Sequence, residues 1–312
     1  PPFARVTAMS DDDMESEDST DIVTEEMLWE RIPETSGLDR ANTYYELSAR
    51  IYARGQYDEA LALAETARDI YTELDSGVAV DGLAQAYSAI GYNLNQLKRM
   101  PEAANAMSKA VELLRESKSP IAIELACTLG EWWFGSKEFG KTIECMRDCV
   151  QEHLVEGNDS GAANDLYLIG CAHRELAEHA QALEAFQEAR TIFKSLKEVI
   201  NVARCDQKIA HCLIELNDGE AALAAAQKSL DVFVTAHDHR GETFSLLELG
   251  KAQVLVGRIQ EGLDTLQRVL DITTDADLHD VCAALDAAGI SYAIADKPAD
   301  YRSRTYLDIA DA

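Results

Sequence analysis

The chain has 312 residues, enough for one large or two ordinary domains, and 47% of them are apolar, enough for a sizeable core. Its formal net charge is −28, from 56 acidic and 28 basic residues, which opposes binding to nucleic acids and to anionic membrane surfaces. Seven scattered cysteines without a CxxC pair predict no disulfide framework, and no apolar run reaches the roughly 18 residues of a membrane span. We therefore expect a cytoplasmic protein whose partners are proteins or peptides, basic ones unless the acidic surface serves only solvation.

The first 36 residues form an acidic segment. Ten acidic and no basic residues lie between positions 11 and 30. Such a segment buries too little apolar area to offset its chain entropy, which predicts a mostly disordered tail over residues 1–36. Met9, followed by three aspartates after one serine, is typical of a native start, so we expect residues 1–8 to be a processing remnant. Within the tail, EEMLWERI (25–32) is predicted to be a short helix docked on the first repeat, or else a linear motif for a partner.

Small residues recur in pairs, twelve positions apart, along the rest of the chain. The first members lie at positions 48, 91, 130, 170, 210 and 250, so successive units are 43, 39, 40, 40 and 40 residues apart. Self-similarity at a fixed period is the signature of a repeat architecture. The pairs are Ser48 and Ala60, Gly91 and Ala103, Gly130 and Thr142, Gly170 and Ala182, Ala210 and Ala222, and Gly250 and Gly262.

Each unit is predicted to be a helix, a tight turn, a second helix and a longer connection. Short polar breakers such as SKEF (136–139) and NDG (217–219) separate the two helices, and EGNDSG (156–161) and AHDHRG (236–241) predict the longer connections. Two antiparallel helices approach closely only where side chains are small, which explains why small residues recur in pairs at equivalent positions of the repeats. A glycine inside a helix costs about 1 kcal/mol relative to alanine. We expect closer packing of the two helices to offset this cost at Gly170.

These units resemble tetratricopeptide repeats. That family has small residues at repeat positions 8 and 20 and apolar or small residues at 24 and 27, and the fourth unit matches with Leu166, Ile169, Gly170, Ala182, Phe186 and Ala189. The period is near 40 rather than 34 and the usual proline is missing, as in the long repeats of Leu-Gly-Asn proteins, kinesin light chains and Rap-type receptors. The resemblance implies an all-α, right-handed α-solenoid over residues 37–295, with six repeats, a partial seventh, and a concave surface lined by first helices.

That resemblance also implies which side chains face the concave groove. The first half of the groove is expected to offer amides and tyrosines, with acidic residues in the third repeat, and Arg174 and Arg204 are expected to lie close together in the middle. Amides and tyrosines can clamp an extended peptide backbone, although a solenoid face that only contacts water would carry them too. The sixth repeat is expected to present apolar side chains such as Phe244 and Leu247. The predicted partner-binding residues are Tyr45, Tyr52, Gln85, Tyr92, Asn95, Glu131, Phe134, Asn164, Tyr167, Arg174, Arg204, Gln207 and His211.

No residue cluster in the sequence predicts catalysis, a cofactor or a metal. Cys145, Cys149 and His153 share a helix face with spacing that zinc could use, but Cys149 occupies a small core column, so packing is the preferred interpretation. Packing is also the preferred interpretation for Cys205, His211 and Cys212. His173 stands in a column that is apolar in other repeats, which predicts a core histidine. Phe134 is predicted to be either a partner anchor or packing between repeats.

The sequence therefore predicts a non-catalytic adaptor or scaffold that binds a protein or peptide in its groove. One alternative is a peptide-sensing regulator, which is disfavoured because residues before position 40 are too few for the effector module of Rap-type receptors. Another is an adaptor autoinhibited by its acidic N-terminal segment, with the acidic tail or EEMLWERI folding into the groove near Arg174 and Arg204. Residues 296–312 are expected to form a capping helix, at 301–309, or a tail.

Overall fold

The computed structural model describes residues 24–74, 77–272, 292–296 and 305–309. Predictions for the acidic tail before residue 24 and for most of the partial seventh repeat lie outside these ranges. The helices of the described chain are α1 Glu25–Arg31, α2 Gly37–Ala53, α3 Tyr57–Glu73, α4 Val80–Gln96, α5 Met100–Glu116, α6 Ala122–Gly135, α7 Phe139–Glu156, α8 Asp159–Glu175, α9 His179–Ser195, α10 Val199–Glu215, α11 Gly219–Thr235, α12 His239–Leu255 and α13 Ile259–Ile272.

The fold is an all-α solenoid of helix-turn-helix repeats from α2 to α13, as predicted. Consecutive helices pack as hairpins, and α10 also packs on α12, its counterpart in the next repeat. Two compact units divide the chain, an N-terminal unit (residues 1–149) and a C-terminal unit (residues 150–312). The C-terminal unit has one continuous core that includes Phe186, Phe193, Leu246 and Leu266.

From α6 onward every connection between helices is short, which corrects the expected alternation of short and long connections for this part of the chain. In the first two repeats the alternation is found, with the longer connections before α4 and α6. Each described turn from α6 to α13 contains one residue with positive φ, and these residues are spaced by 20. They are Lys137, Gly157, Ala177, Lys197, Asn217, His237 and Gly257. A helix of 17 residues and a turn of three residues make this 20-residue half-period, so the 40-residue repeat lengthens its helices rather than its loops.

The two polar segments predicted to be long connections, 156–161 and 236–241, each contain the start of a helix. Asn158 precedes α8 and its side chain accepts a hydrogen bond from the Gly161 amide, at 3.0 Å. Asp238 precedes α12 and accepts from the Gly241 amide in the same way, at 2.9 Å. Both are N-caps, which satisfy amides that the first helical turn leaves unpaired.

The small residues paired twelve positions apart lie where the two helices of a hairpin contact each other. Ser48 donates a hydrogen bond to the Ala60 carbonyl, twelve residues away, at 2.7 Å. Thr142 contacts the Gly130 carbonyl in the same register, at 3.4 Å. The predicted columns are therefore the points of closest helix approach.

Gly170 has a more specific role than its column suggested. A Cβ atom at this position would lie 2.7 Å from the ring of Phe186. Phe186 is fully buried, so its ring has little room to shift. The glycine is required by the phenylalanine four residues after Ala182, as well as by the approach of the helices.

The segment EEMLWERI docks on the first repeat, as the preferred interpretation predicted. Its residues form α1, and Leu28 is fully buried against Leu47, Ile51 and Leu63. Glu25 accepts a hydrogen bond from Arg54 at 2.6 Å. The expectation of disorder is thus wrong for residues 25–34, which form α1 and a single 3-10 turn. The alternative placement of this segment near Arg174 and Arg204 is not the arrangement found.

The C-terminal segment contains a two-stranded antiparallel ladder, which corrects two expectations. Strand β1 (Tyr292–Asp296) pairs with β2 (Thr305–Ile309), with Tyr292 opposite Ile309. The capping helix predicted at 301–309 is therefore wrong for residues 305–309, and β1 occupies the end of the range assigned to the solenoid. Residues 292–296 (YAIAD) alternate larger and smaller side chains with period two, which favours a strand.

Candidate functional site

The predicted groove residues of the N-terminal unit lie on α2, α4 and α6, the first helices of its repeats. Tyr52 on α2 accepts a hydrogen bond from Gln96 on α4, at 3.2 Å. Tyr92 on α4 bonds to Thr128 on α6, and its ring packs edge-on against Trp132, with centroids 5.4 Å apart. Burial raises the pKa of Tyr92, and the nearby acidic and tyrosine side chains add to this effect. Three helices thus share one face of tyrosines and amides.

The other predicted residues of this unit differ in accessibility. Gln85 and Glu131 are exposed, and Asn95 is half-buried. Tyr45 is half-buried, and burial raises its pKa to about 12. Phe134 packs edge-on against Phe139 across the turn, at 5.3 Å between centroids, so its contact lies within its own hairpin.

The C-terminal unit brings three predicted residues together around one cavity of about 260 Å³. Tyr167 comes from α8, and Arg204 and Gln207 come from α10. Phe244 on α12 forms another part of the lining, as predicted for the sixth repeat. The remaining lining residues are Lys208, Phe233, Asp238, Arg240 and Gly241.

Gln207 carries the clearest sign of an unfilled contact in this cavity. Its side chain is only 7% exposed, yet its amide nitrogen Nε2 has no hydrogen-bond partner within the described chain. Leaving a buried amide unsatisfied costs about 1–3 kcal/mol. Most buried polar groups avoid this cost, so this donor of a cavity-lining residue is a candidate contact for a ligand that accepts a hydrogen bond.

The same cavity concentrates positive charge. Among the described residues, Arg204, Lys208 and Arg240 form no ion pair with a carboxylate, although Arg240 lies 5.9 Å from the centre of the Phe244 ring. Burial lowers the pKa of Lys208, and the neighbouring charge of Arg174 lowers it further. Burial raises the pKa of Tyr167, so its hydroxyl stays protonated and can donate a hydrogen bond.

Three further predicted residues surround this cavity or lie on the same helices. Asn164 is exposed and donates to the Ser160 carbonyl at 2.9 Å, which occupies its amide. Arg174 is half-buried and pairs with its neighbour Glu175 at 2.5 Å. His211 lies 3.4 Å from Glu248 on α12.

Sequence reasoning missed Lys208, Arg240 and Glu248. Glu248 is buried, and its carboxylate lies between His211 and Lys251, 3.4 and 3.5 Å away. Burial would raise its pKa, but the bond from His211 and the charges of Lys251 and Lys208 outweigh this and lower it. One signal was available: Lys208 and Glu248 each follow a predicted groove residue, Arg204 or Phe244, by four positions and therefore share its helix face.

A larger depression of about 650 Å³ lies on the N-terminal unit between α5, α6 and α7. Its rim is acidic. Arg115 bonds to Asp148 at 3.3 Å, and Lys141 lies 4.1 Å from the centre of the Trp133 ring. The residues that line it include none of the predicted groove residues.

The remaining candidates behave as core residues. Cys149 is fully buried, with its pKa raised by hydrogen bonds to Cys127 and Cys145 and by burial. Burial raises the pKa of Cys205 to about 12 and of Cys212 to about 11, so both remain thiols. His173 is buried, with its ring nitrogen Nδ1 2.6 Å from Glu178.

No family model and no curated protein sequence matches the chain. Solved structures do match. The apo form of RapI is similar with a TM-score of 0.57, 14% identity and 85% coverage of both chains. The C-terminal part of a TPR repeat-containing protein from Cytophaga hutchinsonii matches with a TM-score of 0.57 and 12% identity, covering 82% of this chain and 92% of the other. BtubC from P. vanneervenii matches with a TM-score of 0.53 and 14% identity, covering 78% and 96%.

These similarities show that the chain has a tetratricopeptide-type repeat fold, as its sequence columns predicted. Sequence identities of 12–14% support a common fold and do not extend to a common function. None of the described helices is long and apolar enough to cross a membrane.

Proposed function

We propose that this protein is a non-catalytic adaptor or scaffold that binds an extended protein segment or peptide along the first helices of its repeats. The observation that carries the proposal is the unsatisfied Gln207 amide, buried in the wall of a cavity that Tyr167 and Arg204 also line. A peptide carbonyl or carboxylate would accept a hydrogen bond from it. Binding would thereby remove a cost that the free protein bears.

The N-terminal unit supports the same proposal by its chemistry. Tyr52, Tyr92 and Gln96 form a polar face across α2 and α4, with half-buried Asn95 on the same helix. Tyrosine supplies rigid contact area with a polar tip, and amides can pair with a peptide backbone in both directions. Such a face suits recognition of a chain segment.

Selection from a library of random twelve-residue displayed peptides tests this function without a known partner. We expect the full chain to enrich a defined sequence, and the synthetic peptide to bind measurably by fluorescence anisotropy. Gln207→Met keeps the side-chain volume but removes the donor, and Asn95→Ala removes an amide from the N-terminal face. At least one of them should weaken binding roughly tenfold, the usual effect of losing one or two good hydrogen bonds.

Two amides on second helices provide matched controls. Gln187→Ala on α9 and Asn105→Ala on α5 remove exposed amides of the same kind. They should leave the dissociation constant within twofold of the wild-type value. Failure to enrich any peptide, or equal losses in groove and control variants, would contradict the proposed function.

A further inference from the structure

A groove of about 490 Å³ lies in the C-terminal unit between the second helices α7 and α9, and we call it the α7–α9 groove. Its apolar side chains are Val150 and Leu154 on α7, Leu166 on α8 and Ile192 on α9. Leu154 is 46% exposed, and Val155 beside it is almost fully exposed. Apolar side chains that are contiguous, open to solvent and rimmed by polar residues mark sites of protein contact.

The rim of the α7–α9 groove is acidic. Glu184 and Glu188 on α9 line it, and among the described lining residues there is no lysine or arginine. Neither glutamate forms an ion pair within the described part of the chain, and Arg190, the nearest cation along α9, pairs with Asp206 on α10 instead, at 2.6 Å. Two like charges four residues apart destabilise a helix, and a cation from a partner would relieve this cost.

The equivalent groove between α5 and α7 has a rim in which an acid is paired. Arg115 on α5 contacts Asp148 on α7, at 3.3 Å. The second members of the small pairs are 39 and 40 residues apart over these repeats, so Leu154 stands at the position of Arg115 and Glu188 at the position of Asp148. Leucine thus replaces the cation while the acid is retained, which leaves an apolar and acidic surface without the counter-charge of its predecessor.

We propose that the α7–α9 groove binds an amphipathic helix of a partner protein that carries lysine or arginine beside its apolar face. The groove lies mainly on second helices, so it is a second surface beyond the peptide site of the proposed function. Apolar side chains of the partner cover Leu154, Leu166 and Ile192. Two cations one helical turn apart on the partner face Glu184 and Glu188, which have the same spacing.

The net charge of the chain favours the same class of partner. A charge of −28 attracts a basic helix at long range, and the glutamates of the rim act on it at short range. The apolar side chains of the groove then distinguish an amphipathic helix from a segment that is only basic, because the latter covers no apolar surface.

The test uses a displayed library of eighteen-residue, alanine-based helical peptides with two lysines four positions apart and varied apolar residues beside them. The library is depleted on the Leu154→Asp, Glu184→Lys, Glu188→Lys triple variant and then selected on the full wild-type chain. We expect an enriched helix that binds wild type at least roughly tenfold more tightly than the triple variant, by fluorescence anisotropy. All three replaced side chains are exposed, and circular dichroism checks that the variant is folded.

Matched substitutions elsewhere separate the groove from general effects. Val234 on α11 is 45% exposed and stands two repeats after Leu154, so Val234→Asp adds the same charge at an equivalent position. Glu215→Lys with Glu220→Lys reverses two other exposed carboxylates. Both controls should keep the affinity for the enriched helix within threefold of wild type. Gln207→Met should keep it as well, because the peptide site is a different surface.

The inference is overturned if no helical peptide remains after depletion and selection, or if the controls lose affinity as the triple variant does. Sedimentation tests another occupant: a wild-type dimer that the triple variant cannot form would assign the groove to a second copy of the chain and would also overturn the inference. The proposed function is judged on other variants, Gln207→Met and Asn95→Ala with extended peptides, so either proposal can fail without the other.

Discussion

Gly170 lets α8 and α9 pack closely because it has no side chain. A Cβ at this position would lie 2.7 Å from the buried Phe186 ring. Gly170→Ala should therefore lower the free energy of unfolding by about 1–3 kcal/mol, because overpacking outweighs the better helix propensity of alanine. Urea denaturation measures the change. Gly140→Ala is the control, since a Cβ there meets nothing within 4 Å, and it should cause no loss.

The turn residue Ala177 adopts a positive φ of 57°, which glycine tolerates and alanine does not favour. Ala177→Gly should raise stability by about 0.5 kcal/mol, because relief of strain exceeds the added entropy of the unfolded chain. Gly157 occupies the equivalent turn one period earlier, with φ of 72°. Gly157→Ala should lower stability by about 1 kcal/mol. Thermal unfolding of both variants checks the pair, and shifts of the same sign would refute the account of the turns.

Glu248 links stability to pH. Its folded pKa is lowered, so the charged form stabilises the folded state above the ordinary glutamate value near 4.5, and this contribution is lost as pH falls through the lowered folded pKa. Between pH 6 and pH 3, Glu248→Gln should therefore lose less unfolding free energy than wild type, whatever its stability at neutral pH. Chemical denaturation at each pH measures the slopes. Exposed Glu131→Gln serves as the control and should follow the wild-type slope.

For individual residues, the sequence predicted the recurring small positions but not the buried charged side chains. Ser48, Gly130 and Gly170 stand out because their spacing repeats. Lys208 and Glu248 do not, since periodicity cannot distinguish a charged residue facing solvent from one facing a neighbouring helix. Their roles depend on side chains from α8, α10 and α12 meeting, which only the folded arrangement reveals.

Among the elements, α1 has one buried residue that attaches it to the first repeat, beside the bond from Arg54 to Glu25. Leu28 is fully buried, whereas Met27 beside it is 47% exposed. Leu28→Ala should weaken the docking of α1 by about 2 kcal/mol, at the low end for a buried leucine because the site lies at the end of the helical array. Hydrogen exchange should then accelerate for α1 amides but not for those of α8–α11. Met27→Ala should leave α1 exchange unchanged, and protection of α1 in the Leu28 variant would contradict its docking.

Helices were predictable and connections were not. The recurring pairs of small residues located the helices of the six repeats, but runs rich in Asp, Asn and Gly were interpreted as loops. In the structure those residues are N-caps followed directly by the first helical turn, as Asn158 and Asp238 show. The strand at Thr305–Ile309 was missed for a different reason: nine residues of mixed pattern satisfy a short helix and a short strand equally.

For the whole molecule, charge acts at two ranges. The net charge of −28 describes the surface seen from a distance and favours basic or neutral partners. Locally, the C-terminal unit gathers cations around one cavity that Asp238 also lines, so the contact chemistry there differs from the long-range field. Composition alone predicted the first property, and only side-chain positions supply the second.

The central claim is that a peptide lies on the first helices of the repeats. Photo-crosslinking tests it most directly, with a benzophenone placed at successive positions of the selected peptide and the adducts mapped by mass spectrometry. The account predicts adducts on α2, α4 and α6 or on α8, α10 and α12, including residues beside Tyr167 and Gln207. Adducts confined to the second helices α3, α5, α9 and α11 would contradict it.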